Sequence, residues 1–387
     1  MTRVINRMDK ILLFLSIIMF IFGLFMILDA SSMKSFMEYG NNTTFFNKQL
    51  IILMISMVIS VVIILFPMKI YKRFIFPITI AIMVMLIYLL VSGEITAGTK
   101  SWIYIGSFGL QPSEFAKVAL IMFMGIYYRA NLRYLNHYLA ALIPAGVGAI
   151  YCFLTLLQPD GGTGLILFFI TVMIFYAAPI QKEIKIKTTM YASIFVLLAV
   201  VILLIAGKSP LSAMQRDRFN FLKPCTRYQE ASGYQVCNGY IAINNGKLLS
   251  VSPGNSQQKY LYLPEAFTDF IFPIIVEEFG LIPGVVIILI YMVIIYRCLV
   301  LAKKCVNVGN ALICYGVGCY IFLHVAINLV GVLGLLPLTG VPLPFLSYGG
   351  SFALSLSIGL ALVQRISIEN YNYMQKKVLE KEGLENH

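Results

Sequence analysis

Charge is scarce in this sequence. Asp, Glu, Lys and Arg make up only 12% of the 387 residues, about half their share in soluble domains, while 59% are apolar. That shortage argues against a water-soluble fold, because too little polar surface is left to face solvent. Histidine is rarer still. His137, His324 and His387 are scattered and the cysteines lack zinc-type spacing, so no metal-ligand constellation is expected. No repeat of fixed period is visible, and no stretch has the composition of a soluble domain. The first apolar run is too long for a cleavable signal peptide and is expected to remain as a signal anchor.

Apolar runs are what the chain has in plenty. A helix needs about 20 residues to cross a hydrocarbon core of about 30 Å. Runs of that order lie near 11–29, 48–66, 74–92, 113–128, 138–157, 163–179, 188–206, 269–296, 311–335 and 351–368. They predict an all-α polytopic membrane protein of about ten transmembrane helices, without the alternation of a strand barrel. Two runs are marginal, 113–128 because it contains Glu114 and Lys117, and 163–179 because it is short.

Basic residues set the orientation, since short basic loops stay in the cytoplasm. Most of the 29 Lys and Arg fall on one side, among them Arg3, Arg7, Lys10, Lys69, Lys72, Arg73, Arg297, Lys303, Lys304 and Arg365. Both termini are therefore expected in the cytoplasm. Residues 1–368 read as a single membrane domain, with 207–268 as a large extracytoplasmic loop between helices 7 and 8, and 369–387 as a short cytoplasmic tail. The net charge of +12 follows from this topology and does not point to nucleic acid. Cys225 and Cys237 lie in the outer loop, where an oxidising compartment permits a disulfide.

Ionisable groups at the bilayer are costly and often functional. Here they gather on the outer half. Glu114 and Lys117 share a helix face, as an ion pair or a cavity wall. Asp160 lies in the turn-rich string Gln158 to Gly164, where it can serve as a helix cap. Glu265, Asp269, Glu277 and Glu278 are four of only 17 carboxylates. Asp269 alone can be read as a first-turn acid behind a Thr268 cap. The stretch 264–278 is expected to line a wet cavity or lie at the interface, with 279–296 as the span proper. The Pro- and Gly-rich stretch 335–351, which includes Ser347, cannot form one helix and is expected to pack against this polar site.

Four strings follow one another: GTKSW with QPSEFAK, QPDGGTG, QKYLYLPEAFTDFIFPIIVEE, and GLLPLTGVPLPFLSYGGS. In these the chain resembles the SEDS family of FtsW, RodA and SpoVE along its ten-helix body. The resemblance implies a peptidoglycan glycosyltransferase of the bacterial cytoplasmic membrane. Such an enzyme polymerises lipid II, an undecaprenyl-linked disaccharide-peptide, at the outer face beside a class B penicillin-binding protein transpeptidase. It implies Asp269 of the TDFIF string as the catalytic acid.

A carboxylate there can take the proton of the acceptor hydroxyl. Cations near the leaving pyrophosphate would come from Lys100, Lys117, Arg216, Arg218 and Lys259. Trp102, Glu114, Asp160, Glu265 and Ser347 complete the expected substrate-binding set. A divalent cation, Mg or Mn, bridging the pyrophosphate and Asp269 is compatible with it. Two departures stand out: Ser101 precedes Trp102 where members often have Arg, and the glycine-rich stretch is thinned to Gly246–Gly254. A lipid II flippase and a non-catalytic scaffold for the penicillin-binding protein are the competing readings.

Overall fold

The computed structural model describes residues 2–93, 100–106, 108–205, 223–227, 231–248, 250 and 252–385. After a turn of helix at Thr2–Ile5, the helices are α1 Lys10–Tyr39, α2 Thr44–Leu65, α3 Met68–Ser92, α4 Pro112–Ala130, α5 Tyr138–Leu157, α6 Gly161–Ala177 and α7 Lys182–Ile205. They continue as α8 Ala231–Gly246, α9 Ile271–Phe279, α10 Leu281–Lys304, α11 Val308–Val332 and α12 Gly350–Glu385. Each predicted apolar run falls on a helix to within three residues at its ends, except 269–296, which is divided between α9 and α10. Among the described residues, seven helices are long and apolar enough to cross a membrane: α1, α2, α3, α5, α10, α11 and α12. The other three expected runs lie on α4, α6 and α7. α4 carries Glu114 and Lys117, and α6 has only 17 residues.

Caps explain several boundaries. Asp9 accepts from Leu12 N at the start of α1, and Asn307 accepts from Gly309 N and Asn310 N at the start of α11. Gly40 closes α1 at φ 67°. The bundle is layered. In α12 and α11, 78% and 67% of the most apolar stretch is buried, against 11% in α2, so α11 and α12 are central and α2 faces lipid. α4 crosses α11 at two glycines. A Cβ on Gly125 would lie 2.8 Å from Gly309 O, and one on Gly309 2.7 Å from Gly125 O. Small residues let the backbones approach this closely.

At the end that carries the termini, Arg297 Nε reaches Asp9 Oδ2 at 3.0 Å. Gln364 Nε2 donates to Asp9 O at 3.0 Å and its Oε1 accepts from Asp9 N at 2.9 Å. These bonds join α1, α10 and α12. Glu369 adds α3, accepting from Met68 N at 2.7 Å.

The opposite, loop end has three features of its own. Strand β1 Ile103–Ile105 pairs antiparallel with β2 Phe108–Leu110 as a hairpin, with Tyr104 facing Gly109. The segment 207–268 contains α8, tied to the preceding turn by the Cys225–Cys237 disulfide. The run 269–296 is broken at Gly280, whose φ of 90° ends α9 and starts α10.

Glu277 and Glu278 do not line a wet cavity. Both are buried, because each binds the loop that folds back over α9. Glu277 accepts from Asn245 Nδ2 at 2.9 Å, from Gln258 N at 3.3 Å and from Ser256 Oγ. Glu278 accepts from Lys259 Nζ at 2.8 Å, and the same ammonium reaches Asp29 of α1 at 2.7 Å. Burial works against the charged Lys259, yet its bonds and attraction to Asp29 and Glu278 prevail and raise its pKa. Burial, with the neighbouring Asp29, pushes the Glu278 carboxyl up to about 7 against the pull of Lys259. Two carboxylates compete for one ammonium.

The thinned glycine stretch keeps left-handed backbone at three residues that are not glycine, besides Gly254 at φ 85°. Lys247, Ser250 and Ser252 have φ of 45°, 82° and 95°.

Three stability outcomes follow, each read by thermal unfolding in detergent. Gly125→Val overpacks the α4–α11 crossing and lowers stability by about 2 kcal/mol. Lys259→Met strands the buried Glu278 and the partly buried Asp29 and costs about 3 kcal/mol. Ser252→Gly relieves a left-handed residue against a larger unfolded-state entropy, for a net gain of about 0.5 kcal/mol.

Candidate functional site

Asp269 sits where the turn before α9 meets the stretch 335–349. The turn is made by Glu265 at φ 57°, whose carbonyl accepts from Thr268 N and from Phe270 N, both at 3.2 Å. This delays α9, whose cap residue is Phe270 and has no side-chain cap bond. Asp269 is therefore not the first-turn acid that its position suggested.

The residues beside it are held through their main chain. Tyr348 N donates to Phe267 O at 2.8 Å, Ser347 Oγ donates to Thr268 O, and Asn328 Nδ2 donates to Asp269 O at 2.7 Å. Three consecutive carbonyls are thereby fixed by the 335–349 stretch and α11. Asn328 Nδ2 also reaches Val341 O at 2.8 Å, and Ser347 Oγ accepts from Leu343 N at 2.8 Å, which shapes that stretch in turn. The buried Asp269 carboxylate takes a weak contact from Thr268 Oγ1 at 3.3 Å. Its Oδ2 faces Gly340, where a Cβ would come within 3.9 Å. Gly340 has a φ of 68°, which glycine adopts without strain.

Glu265, half exposed, receives Thr268 Oγ1 at 2.8 Å and Lys34 Nζ at 3.5 Å. Lys34 also lies 5.3 Å from the centre of the Phe267 ring. This cation on α1 was not among the expected residues. Its signal was faint, one Lys in a short loop-side segment.

A second polar cluster lies on α4. Lys117 Nζ binds Glu114 Oε1 at 2.7 Å, fully buried, and meets His324 Nε2 at 3.1 Å. Above it, Gln111 Nε2 donates to Asp160 Oδ2 at 3.0 Å while Asp160 Oδ1 caps α6 through Thr163 N. Gln111 N donates to Ser351 Oγ at 2.8 Å. The hairpin supports this side: Lys100 N donates to Gln158 O at 3.3 Å, and Trp102 packs over Gly109, whose added Cβ would meet the indole at 2.9 Å.

The expected residues thus fall into groups. Asp269, Glu265 and Ser347 come together. Glu114, Lys117, Asp160, Lys100 and Trp102 gather around α4 and the hairpin. Lys259 is engaged by Asp29 and Glu278 and serves the loop's structure. Arg216 and Arg218 lie outside the described residues. Among the described residues no three His, Cys, Asp or Glu side chains converge as metal ligands.

The pattern of the cell cycle protein family FtsW/RodA/SpoVE matches residues 9–372. A Bacillus subtilis protein named "Probable peptidoglycan glycosyltransferase FtsW" is 31% identical over 380 residues, covering 97% of this chain and 94% of its own. Stage V sporulation protein E of the same organism is 28% identical, covering 93% of this chain and 96% of its own. Among solved structures, a chain of a peptidoglycan synthase complex superposes with a TM-score of 0.75 at 22% identity, over 94% of this chain and 98% of that one. The rod shape determining protein RodA of Thermus thermophilus gives 0.65 at 20% identity, over the same shares. Those two likenesses establish the multi-pass helical fold. With the family pattern spanning nearly the whole length, the chain belongs to the FtsW/RodA/SpoVE family of cell cycle proteins, and so to the cytoplasmic membrane.

Proposed function

We propose that this chain is a peptidoglycan glycosyltransferase that polymerises lipid II at the outer face of the cytoplasmic membrane, with Asp269 as its general base. The observation that carries the reading is a buried carboxylate whose main chain is fixed on three successive carbonyls, in a member of a family with relatives named for this activity. The loop end faces outward and the end with Asp9, Arg297 and Arg365 faces the cytoplasm, as the basic residues there favour.

In the reaction an acceptor sugar hydroxyl attacks the donor's anomeric carbon. Asp269 takes the hydroxyl proton as the new C–O bond forms. The bond from that carbon to the lipid-linked pyrophosphate breaks, and the pyrophosphate leaves with the electron pair. One displacement of this kind inverts the anomeric centre. Positive charge beside the leaving group stabilises what develops there, and Lys100, Arg216 and Arg218 are the residues assigned to it. Glu114 and Lys117 on α4 and Asp160 at the start of α6 make the polar wall, Trp102 and Glu265 flank the substrate, and Ser347 holds the turn that carries Asp269. Lys259 acts through the loop rather than on the substrate, since both Asp29 and Glu278 claim it. A divalent ion, if bound, would be held by Asp269 and would offset charge on the leaving pyrophosphate. The partner is a class B penicillin-binding protein, in keeping with the peptidoglycan synthase complex whose chain shares this fold.

The test is polymerisation of lipid II by the full chain with that partner, followed on gels as uncrosslinked glycan strands. Asp269→Asn should slow it by about 10²–10⁴-fold, the span associated with a general base. Wild-type rates from Asp269→Asn would refute the assignment. Passage of labelled precursor across vesicles without any polymer would favour transport instead.

A further inference from the structure

One buried side chain links the two polar clusters and has no part in the scheme above. His324 is fully buried on α11, one turn before Asn328. Residues four apart share a helix face. Asn328 holds Val341 O and Asp269 O, as described. His324 meets Lys117 Nζ at 3.1 Å through Nε2 and Pro342 O at 3.2 Å through Nδ1. Its ring stacks on Phe352 at 4.5 Å and stands edge-on to Tyr320 at 4.8 Å, so it has little freedom to turn.

The partners dictate the proton. An ammonium group only donates, so Nε2 must accept; a carbonyl only accepts, so Nδ1 must carry the hydrogen. Both demands are met by one neutral tautomer and by no other state of the ring. A charged imidazolium would leave Nε2–H facing the Lys117 ammonium.

We infer that His324 is a positioning residue: it couples the buried Glu114–Lys117 pair to the 341–342 backbone and, with Asn328, sets where that backbone holds Asp269. This rests on the proposed activity. The connection is continuous through Glu114, Lys117, His324, Pro342, Val341, Asn328 and the Asp269 carbonyl, each link a contact of 3.2 Å or less or a peptide bond. A shift of Pro342 therefore moves the main chain on which the carboxylate is mounted. Displacement of about 1 Å at a reacting group can cost about 10²-fold in rate.

Glutamine offers a replacement that keeps both bonds, because its amide oxygen accepts from Lys117 while its NH₂ donates to Pro342 O. Leucine keeps neither. Asparagine is too short to reach both sides.

Lipid II polymerisation by the full chain with its transpeptidase partner, corrected for folded protein by gel filtration and thermal unfolding, provides the test. His324→Leu should lower kcat by about 10–100-fold with KM within about twofold, and His324→Gln should stay within about threefold of wild type. Should His324→Leu fail to fold, His324→Asn takes its place with the same expected fall in kcat. Unchanged kcat in the variant that folds would overturn the inference, as would a loss in His324→Gln as deep as in His324→Leu.

A second readout does not depend on activity. The chain has three histidines, so ¹⁵N NMR of selectively labelled protein can resolve the buried one. The Nδ1-protonated neutral tautomer at neutral pH supports the coupling, and an imidazolium signal contradicts it. A wild-type complex that makes no polymer but shows that tautomer would count against the glycosyltransferase reading, not against the contacts of His324.

Discussion

A charge removed from water must find its opposite or several hydrogen bonds, or it costs several kcal/mol, and this bundle is arranged around that demand. Its ions are neutralised within the bundle: Glu114 with Lys117 on one helix, and between elements Asp9 with Arg297 and Lys259 with both Asp29 and Glu278. The Asp9–Arg297 pair joins helices at the cytoplasmic end. The last ties the large loop to α1 and α9. Since no broad apolar driving force separates helix contact from lipid contact in a bilayer, such bonds, with close glycine crossings like Gly125 on Gly309, decide which helices are neighbours.

The helices themselves were plain in the sequence. The run 138–157 coincides with Tyr138–Leu157, and 163–179 differs from Gly161–Ala177 by two residues at each end. Length and hydropathy are local properties, and the bilayer imposes only one secondary structure on them. What escaped was non-local. Asp9 and Arg297 are 288 positions apart and Lys259 and Asp29 are 230 apart, and no periodicity announces such pairs. Glu277 and Glu278 looked like cavity walls because four carboxylates in a short stretch suggest water, whereas their partners come from α8, the following loop and α1.

The site was legible to a different degree. Asp269 stood out by resemblance, and the 335–351 stretch by its prolines and glycines, with the two expected to pack together; the individual bonds to the carbonyls of Phe267, Thr268 and Asp269 were not legible. His324 was set aside as one of three scattered histidines. Its spacing of four from Asn328, two polar groups on one face of an otherwise apolar helix, was the available signal. A lone histidine in a membrane helix has to be weighed with the polar residue one turn away.

Backbone bonds, rather than helix position, place Asp269. Tyr348, Ser347 and Asn328 grip the main chain of Phe267, Thr268 and Asp269, so this backbone is fixed whatever the side chain binds. The same device keeps the turn at Glu265 from extending α9 backwards, which would carry Asp269 onto the helix and turn its side chain to capping. The rigidity of this backbone depends in turn on the irregular stretch that α11 holds at Val341 and Pro342.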